Sequence, residues 1–361
     1  MKVLHIITSL YTGGAEKLLI DSIPIYKQKG IDVYLLLLNG NETPFYKQLK
    51  SKNITLYKLT KGNIRKVYNP LLTFQIIPYL KKYDIIHVHL FPALYWTALA
   101  KYLSRSKVKL VFTEHSTNNK RITKKGVWRL LDKLVYKQYN KIGTITSEVD
   151  TVIKTHLETT SDKFRVINNG IDISQYSNAK GCEKEDKNSK VIIQVASFSK
   201  PKDQPTLIRA LQYLPQNIVV QFIGDGVLRK QCEQLVDTLG LSDRISFLGV
   251  RTDVPTLLKS ADIVVMSSNY EGLSLSMIEG MASGNPLVAS AVPGLKDIVS
   301  GTGLLFEKGN ERDLAEKIMS LLNDDELYKK IALQCSNKAK QYDINTMVDK
   351  YIELYKETVN E

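Results

Sequence analysis

The sequence predicts an α/β protein of two parallel-sheet domains, and three observations lead there. Its 361 residues are more than one core ordinarily serves, which suggests about two domains. Short β-branched or Leu-rich runs alternate with longer helical patterns. That rhythm runs through the first half, stops at a polar stretch and then starts again.

In order, KVLHIIT, VYLLLL, DIIHVH, KLVFTEH and KIGTIT read as strands. Each is a nearly continuous apolar run, as expected of a strand covered on both faces. Between them, 70–82 and 127–139 carry helical patterns, and a helix should follow Gly14. Pro24 falls inside that helix and is expected to kink or split it, because proline removes a hydrogen bond. SQYSNAKGCEKEDKNSK (174–190) is polar and aperiodic, as a linker would be. The rhythm then resumes with VIIQVAS, a helix over 203–213, IVVQFIG, a helix over 226–239, ISFLG, a helix over 253–260, and IVVMSS. Two successive βαβ series predict Rossmann-like domains at 1–175 and 191–344 with a linker over 176–190. MVDKYIELYKE, within 345–361, reads as an amphipathic helix crossing back to the first domain. Ligands of such sheets sit beyond the carboxyl ends of the strands, so two facing domains would hold a substrate in the cleft between them.

Composition excludes several classes. Hydrophobic content of 43% and charged content of 24% are ordinary for a globular protein. No apolar run nears the ~18 residues of a membrane span, and the N-terminus lacks a signal-peptide pattern. Cys182, Cys232 and Cys335 are odd in number and far apart, so neither a disulfide framework nor a metal knuckle is expected, and the compartment should be the reducing cytoplasm. The net charge of +13 is unevenly placed. Residues 1–180 hold 29 Lys and Arg against 12 Asp and Glu, whereas 181–361 hold 21 against 25. The basic half implies an anionic partner (nucleic acid, an acidic membrane surface or a phosphorylated substrate) or else merely a well-solvated surface.

The strand-end loops carry the candidate chemistry. Gly13 and Gly14 follow the first strand and open a helix, where backbone and helix dipole suit a phosphate, although a plain tight turn has the same sequence. His115 ends a strand and is a candidate for binding or proton transfer, or simply a structural histidine. His87 and His89 lie two apart on one strand without an evident third ligand and read as structural. Asp-x-Asp is absent, so charge on a phosphate leaving group would fall to cations and helix dipoles rather than to a metal. Lys200 and Lys202 follow the second domain's first strand. In NYEGLSLSMIEGMA, the amides of Gly272, Leu273 and Ser274 open a helix, with Glu271 before it and Glu279 a turn inside. Eight residues span at most ~12 Å as helix, the reach of a nucleotide-sugar whose two hydroxyl-bearing ends meet carboxylates, although a helix-dipole partner at Glu271 and a surface residue at Glu279 would have the same spacing.

This ordered set, GGAE, TEHS, NNGID (168–172), the Lys202 loop, IGDG and E-x7-E, resembles the GT-B retaining glycosyltransferases of family 4. The resemblance runs from residue 1 to about 345 and is strongest over 191–300. It implies that Gly13 and Gly14 face the donor phosphates, Glu16 the acceptor side and His115 the transferred sugar. It further implies that Lys202 neutralises the diphosphate, Glu271 holds the sugar hydroxyls and Glu279 binds the ribose. The family usually shows an arginine where this chain has Ser197, which leaves Lys202, with Lys200, as the cationic stabilisers. Front-face transfer, with the leaving phosphate assisting deprotonation of the acceptor, requires no carboxylate nucleophile of the glycosidase kind.

RITKKGVWRLLDKLVYKQYNK (121–141) repeats a basic residue every fourth place beside an apolar stripe of Val127, Leu130, Leu131, Leu134 and Val135. Such a helix suits an anionic membrane surface, or else packs into the core with a solvated lysine face. The expectation is a metal-independent, cofactor-free enzyme moving a sugar from a UDP-linked donor to a lipid-linked or saccharide acceptor, peripheral on the cytoplasmic membrane face, in capsule, O-antigen or related synthesis. A sugar-nucleotide epimerase or hydrolase of similar shape is the rival enzyme class. A nucleic-acid binder is disfavoured because no recognition motif is present.

Overall fold

The computed structural model describes the whole chain except Thr12 and residues 117–121, 123–125 and 183–187. The chain divides into two compact units, Met1–Gly170 with Ile344–Glu361, and Ile171–Asp343.

The first unit is a seven-stranded sheet of β1 (Lys2–Ile7), β2 (Asp32–Asn39), β3 (Thr55–Thr60), β4 (Ile85–His89), β5 (Lys109–Glu114), β6 (Lys141–Thr144) and β7 (Phe164–Val166). Their order is β3-β2-β1-β4-β5-β6-β7, and every pairing is parallel. Its helices are α1 (Gly14–Gln28), α2 (Pro44–Ser51), α3 (Leu72–Ile76), α4 (Ala93–Ser104), α5 (Val127–Lys137) and α6 (Ser147–Leu157).

The second unit opens with α7 (Ile173–Ser177) and adds a six-stranded parallel sheet. Its strands are β8 (Lys190–Val195), β9 (Ile218–Ile223), β10 (Ile245–Phe247), β11 (Ile263–Met266), β12 (Leu287–Ser290) and β13 (Leu304–Phe306), in the order β10-β9-β8-β11-β12-β13. Helices α8 (Gln204–Ala210), α9 (Arg229–Thr238), α10 (Val254–Ser260), α11 (Leu275–Ala282), α12 (Lys296–Val299), α13 (Glu311–Asn323) and α14 (Asp325–Ala339) cover it. The last helix, α15 (Ile344–Asn360), belongs to the first unit and packs on α1 and β5. In both sheets the strand order reverses at one point, between β1 and β4 and between β8 and β11, and ligands of open α/β sheets bind there.

Four expectations are corrected. Pro24 does not split α1, which continues from Gly14 to Gln28. An interior proline costs about 3 kcal/mol, whereas each buried aliphatic side chain is worth about 1.5–3 kcal/mol. Leu18, Leu19, Ile20, Ile23 and Tyr26 are all buried around it, so packing wins. The helix expected over 70–82 shrinks to α3 and a single 3-10 turn, Ile77–Tyr79, because Pro78 cannot donate back to Phe74. The boundary lies at Gly170 rather than 175, since α7 buries Tyr176 and packs on α10 and α11 within the second unit. The basic helix expected over 121–141 ends at Lys137; Arg121 and Lys125 lie outside the described residues, and Lys141 is a buried residue of β6, paired with Glu361.

Candidate active site

At the second unit's reversal point, the loops after β8 and β11 are laced together. Asp203 N–H donates to the Ser267 carbonyl at 3.0 Å, and Asn269 N–H to that of Pro201 at 2.7 Å. Ser267 Oγ donates back to the Asp203 carbonyl at 2.6 Å. On this brace Lys202 Nζ pairs with Glu271 Oε1, and Ser268 Oγ donates to the same oxygen at 2.7 Å. The two charged side chains are only 14% and 10% exposed, so their attraction is little screened by water. Both contacts use Oε1, which leaves Oε2 without a hydrogen bond among the described residues.

Beyond Glu271, Gly272, Leu273 and Ser274 lead into α11, where Leu273 and Ser274 are buried and Ser274 makes no side-chain cap. The first amides of this helix therefore keep their donor capacity for an anion. Glu279 sits a turn further on, 7% exposed, with Gly280 beside it packed on Val264. The placement of Glu271 depends on a glycine that sequence reasoning did not single out. Gly294 has φ +81°, and a Cβ there would lie 2.3 Å from the Glu271 carbonyl oxygen and 2.7 Å from that of Gly272. The Val-Pro-Gly run after β12 was its only signal. Ser268, the third member of the cluster, gave none.

Ser197, where the family has arginine, is exposed and shares a 2.9 Å hydrogen bond with Ser199 Oγ. Lys200 is exposed and lines, with Lys202, Arg209 and Asn269, a cavity of about 470 Å³ beside α9. The IGDG loop reaches the same region, with Phe198 N–H donating to the Asp225 carbonyl at 3.1 Å.

In the first unit, Gly13 caps α1 and Gly14 is its first residue. A Cβ on Gly13 would stand 2.3 Å from Glu16 Oε2, so glycine there is what allows the carboxylate to fold over the loop. Burial raises the Glu16 carboxyl to about 7, against a lowering hydrogen bond from its own backbone. His115 lies one residue past β5, half-buried, at the carboxyl end of a strand adjoining the reversal point. It is not isolated. Its Nε2 is 3.3 Å from His89 Nδ1, and His89 Nε2 is 3.1 Å from His5 Nδ1. His87 bonds through Nδ1 to Tyr355 at 2.5 Å and through Nε2 to Thr113 at 2.7 Å, and Thr113 also meets Tyr351 at 2.8 Å. Helix α15 thus supplies two tyrosines that cover the cluster. Burial lowers His5 to about 3 and His115 to about 4, and holds His87 and His89 well below the usual imidazole range, with their histidine neighbours adding to the effect.

His5, His87 and His89 hold nitrogens within 4.8 Å of one another, a third possible ligand that the spacing of His87 and His89 did not reveal. Both nitrogens of His87 and both of His89 are nevertheless engaged in hydrogen bonds. A metal would have to take them from those partners.

Residues 12–175 match the family model described as Glycosyltransferase Family 4, and residues 177–341 match that described as Glycosyl transferases group 1. The chain is a glycosyltransferase of this family. Among its relatives, the N-acetyl-alpha-D-glucosaminyl L-malate synthase of Bacillus anthracis is 26% identical over 87% of this chain and 92% of that one. The UDP-Gal:alpha-D-GlcNAc-diphosphoundecaprenol alpha-1,3-galactosyltransferase of Escherichia coli is 24% identical over 98% and 96%. The crystal structure of Anabaena HepE in complex with UDP-glucose superposes on the glycosyltransferase with a TM-score of 0.84 at 24% identity, covering 98% of each chain. The fold is GT-B, and these matches favour the transferase reading over the epimerase, hydrolase and nucleic-acid-binding ones.

Proposed function

We propose that this glycosyltransferase moves a sugar from a UDP-linked donor to a lipid-linked saccharide acceptor, with retention and without a metal, in bacterial surface-polysaccharide assembly. The observation that carries the reading is the Lys202–Glu271–Ser268 cluster at the reversal point of the second sheet, one loop before the N-terminus of α11. That arrangement offers a cation and backbone donors for a diphosphate and carboxylates for sugar hydroxyls. In this reading Lys202 exchanges part of its contact with Glu271 for the donor phosphates. Glu279 takes the ribose, Gly13 and Gly14 admit the phosphates closely, Glu16 serves the acceptor side, and His115 acts beside the transferred sugar. The Escherichia coli relative, named for UDP-Gal and a diphosphoundecaprenol acceptor, supports both substrate classes.

The acceptor class draws on a second observation, since the Bacillus relative's name carries L-malate and no lipid. On α5, Val127, Leu130 and Leu134 are 80%, 62% and 57% exposed, with Trp128 and Leu131 beside them. Val135, expected in the same stripe, instead faces inward and is buried with Tyr136 and with Asp132, which is fully buried and bonded to His156 and Tyr95. An apolar stripe turned outward on a basic half-molecule suits an anionic bilayer, where a lipid-linked acceptor resides, and supports the reading of an enzyme peripheral on the cytoplasmic membrane face. Among the described residues, no helix is long and apolar enough to cross a membrane.

Thermal shift with UDP-, GDP- and ADP-sugars tests the donor, because a ligand of the native state alone raises stability. A response to UDP-sugars is expected, and a response only to another base would refute that part. Dialysis against EDTA should leave transfer largely intact, and the product's anomeric coupling should match the donor's. Complete loss restored only by Mn²⁺ or Mg²⁺ would refute metal independence.

A further inference from the structure

Histidines on neighbouring strands form a chain that leads from the sheet interior to His115. Strand pairing sets His5 of β1 beside His87 of β4, and His89 beside Thr113 of β5. His5 and His89 stack with centroids 5.4 Å apart and planes 13° from parallel. They are 1% and 3% exposed. At the inner end, His5 Nε2 is buried without a hydrogen-bond partner among the described residues. Tyr26 and His87 stand next to that ring, 5.4 and 4.9 Å away between centroids, and both His87 nitrogens are taken.

We propose that His5 and His89 are positioning residues whose one-way hydrogen-bond chain makes His115 a donor, through Nδ1–H, to an oxygen of the bound substrate. The inference rests on the reading that puts His115 beside the transferred sugar. Burial keeps these rings neutral, and a neutral imidazole has one N–H and one lone pair. Two hydrogen bonds in series therefore force all three rings into the same direction. If the chain runs inward, His5 Nε2 carries a buried N–H with no acceptor, and His115 offers a lone pair. If it runs outward, His5 Nε2 is only an unused acceptor, and His115 offers Nδ1–H. Orphaned buried donors are rarer than under-used acceptors, which selects the outward direction. His115 is then no base for the acceptor hydroxyl, since taking a proton at Nδ1 would require reversing every ring. Deprotonation by the leaving phosphate fits that assignment.

The test uses the intact enzyme labelled with ¹⁵N-histidine. Long-range ¹H–¹⁵N spectra at pH 7.5, assigned through single substitutions, should show Nδ1–H tautomers at His5, His89 and His115. An Nε2–H tautomer at His89, or an imidazolium, overturns the proposal, as does stoichiometric Zn²⁺ bound to the three-histidine group. Because Asn places an N–H where Nδ1 was, His5→Asn should retain at least about a third of kcat. His5→Leu, of comparable melting temperature, should lose about tenfold in kcat with KM for the donor changed less than about twofold. Equal kcat in the two variants overturns it. If instead His115→Ala transfers as well as the parent while the tautomers are as expected, the role assigned to His115 at the sugar fails and the chain's direction stands.

Discussion

Lys202 and Glu271 share one ion pair, so neither has a separable energy, and their substitutions should be non-additive. The double variant Lys202→Ala/Glu271→Ala should lose less activity than the product of the single losses; strict additivity would mean that the pair is not a unit during turnover. Glu279, set apart on α11, has a different expected signature. Glu279→Ala should weaken UDP affinity, and Glu271→Ala should chiefly lower kcat, each by the ~1–3 kcal/mol of a lost buried polar contact, or about 5- to 150-fold. Equal losses of UDP affinity in both would contradict the division of roles. Gly294 offers a test of positioning without touching a charge. Gly294→Ala meets both strain at φ +81° and backbone oxygens at 2.3 and 2.7 Å, so the 271–272 loop must move. Kinetics should show transfer falling at least tenfold while the fold, followed by circular dichroism, persists. An unchanged kcat would mean that the loop's position is not what Glu271 needs.

Helix α5 shows where pattern reading reaches and where it stops. Its apolar stripe was legible at i, i+3, i+4 and i+7, but periodicity alone did not say which way the stripe faces. Asp132 decides it, since a carboxylate buried against His156 and Tyr95 fixes the helix's rotation and turns Leu130 and Leu134 outward. Its basic residues are less free than the sequence suggested, because Arg129 and Lys133 both pair with Glu158, at 2.5 and 2.6 Å. Elements with weak signals were the ones left unread. Strand β3 is half-exposed with lysine and threonine in it, and β7, β12 and β13 span only three or four residues. For α5 the stripe, more than the charge, should drive vesicle binding. Changing Val127, Leu130 and Leu134 to Ser should release the enzyme from anionic liposomes in co-sedimentation. Changing Lys125, Arg129, Lys133 and Lys137 to Gln should also weaken it, by up to about 1 kcal/mol per residue. Activity on a soluble acceptor analogue should survive both. Retention of the serine variant on vesicles at the parent's level would make the stripe irrelevant to membranes.

At the scale of the molecule, two sheets of one strand order place their candidate residues at equivalent reversal points, which is why strand-end loops were the right place to look. Glu271, Glu279, Lys202 and His115 were legible because each follows an apolar run that had to be a strand. The histidine cluster was not, since its members lie on β1, β4 and β5 and its tyrosine cover arrives from α15, more than 230 residues beyond Thr113. Only tertiary pairing brings them together. The cluster has a consequence for stability that its parts lack. His5, His87, His89 and His115 all have pKa values below the usual 6.5, so the unfolded chain takes up protons first as the pH falls. Their contribution is complete above about pH 6.5 and declines towards about 4 for His115 and 3 for His5. Each histidine approaches a slope of about 1.4 kcal/mol per pH unit. Glu16 acts in the opposite sense, because its raised pKa of about 7 means that the fold binds a proton there before the unfolded chain does. Net, the protons linked to unfolding of the first unit should rise from less than about one near pH 7 to about three near pH 5.5, and ordinary carboxylates remain charged down to about pH 5.5. Trp96 and Trp128, the chain's two tryptophans, both lie in that unit, so fluorescence reports on it selectively. The urea midpoint followed by tryptophan emission should therefore drop between pH 7 and 5.5, and should drop further in Glu16→Gln, which removes the opposing group. A midpoint that stays level over that range in both proteins would mean that the cluster is hydrated and chargeable within the fold, and the close-packed neutral histidine chain would have to be abandoned.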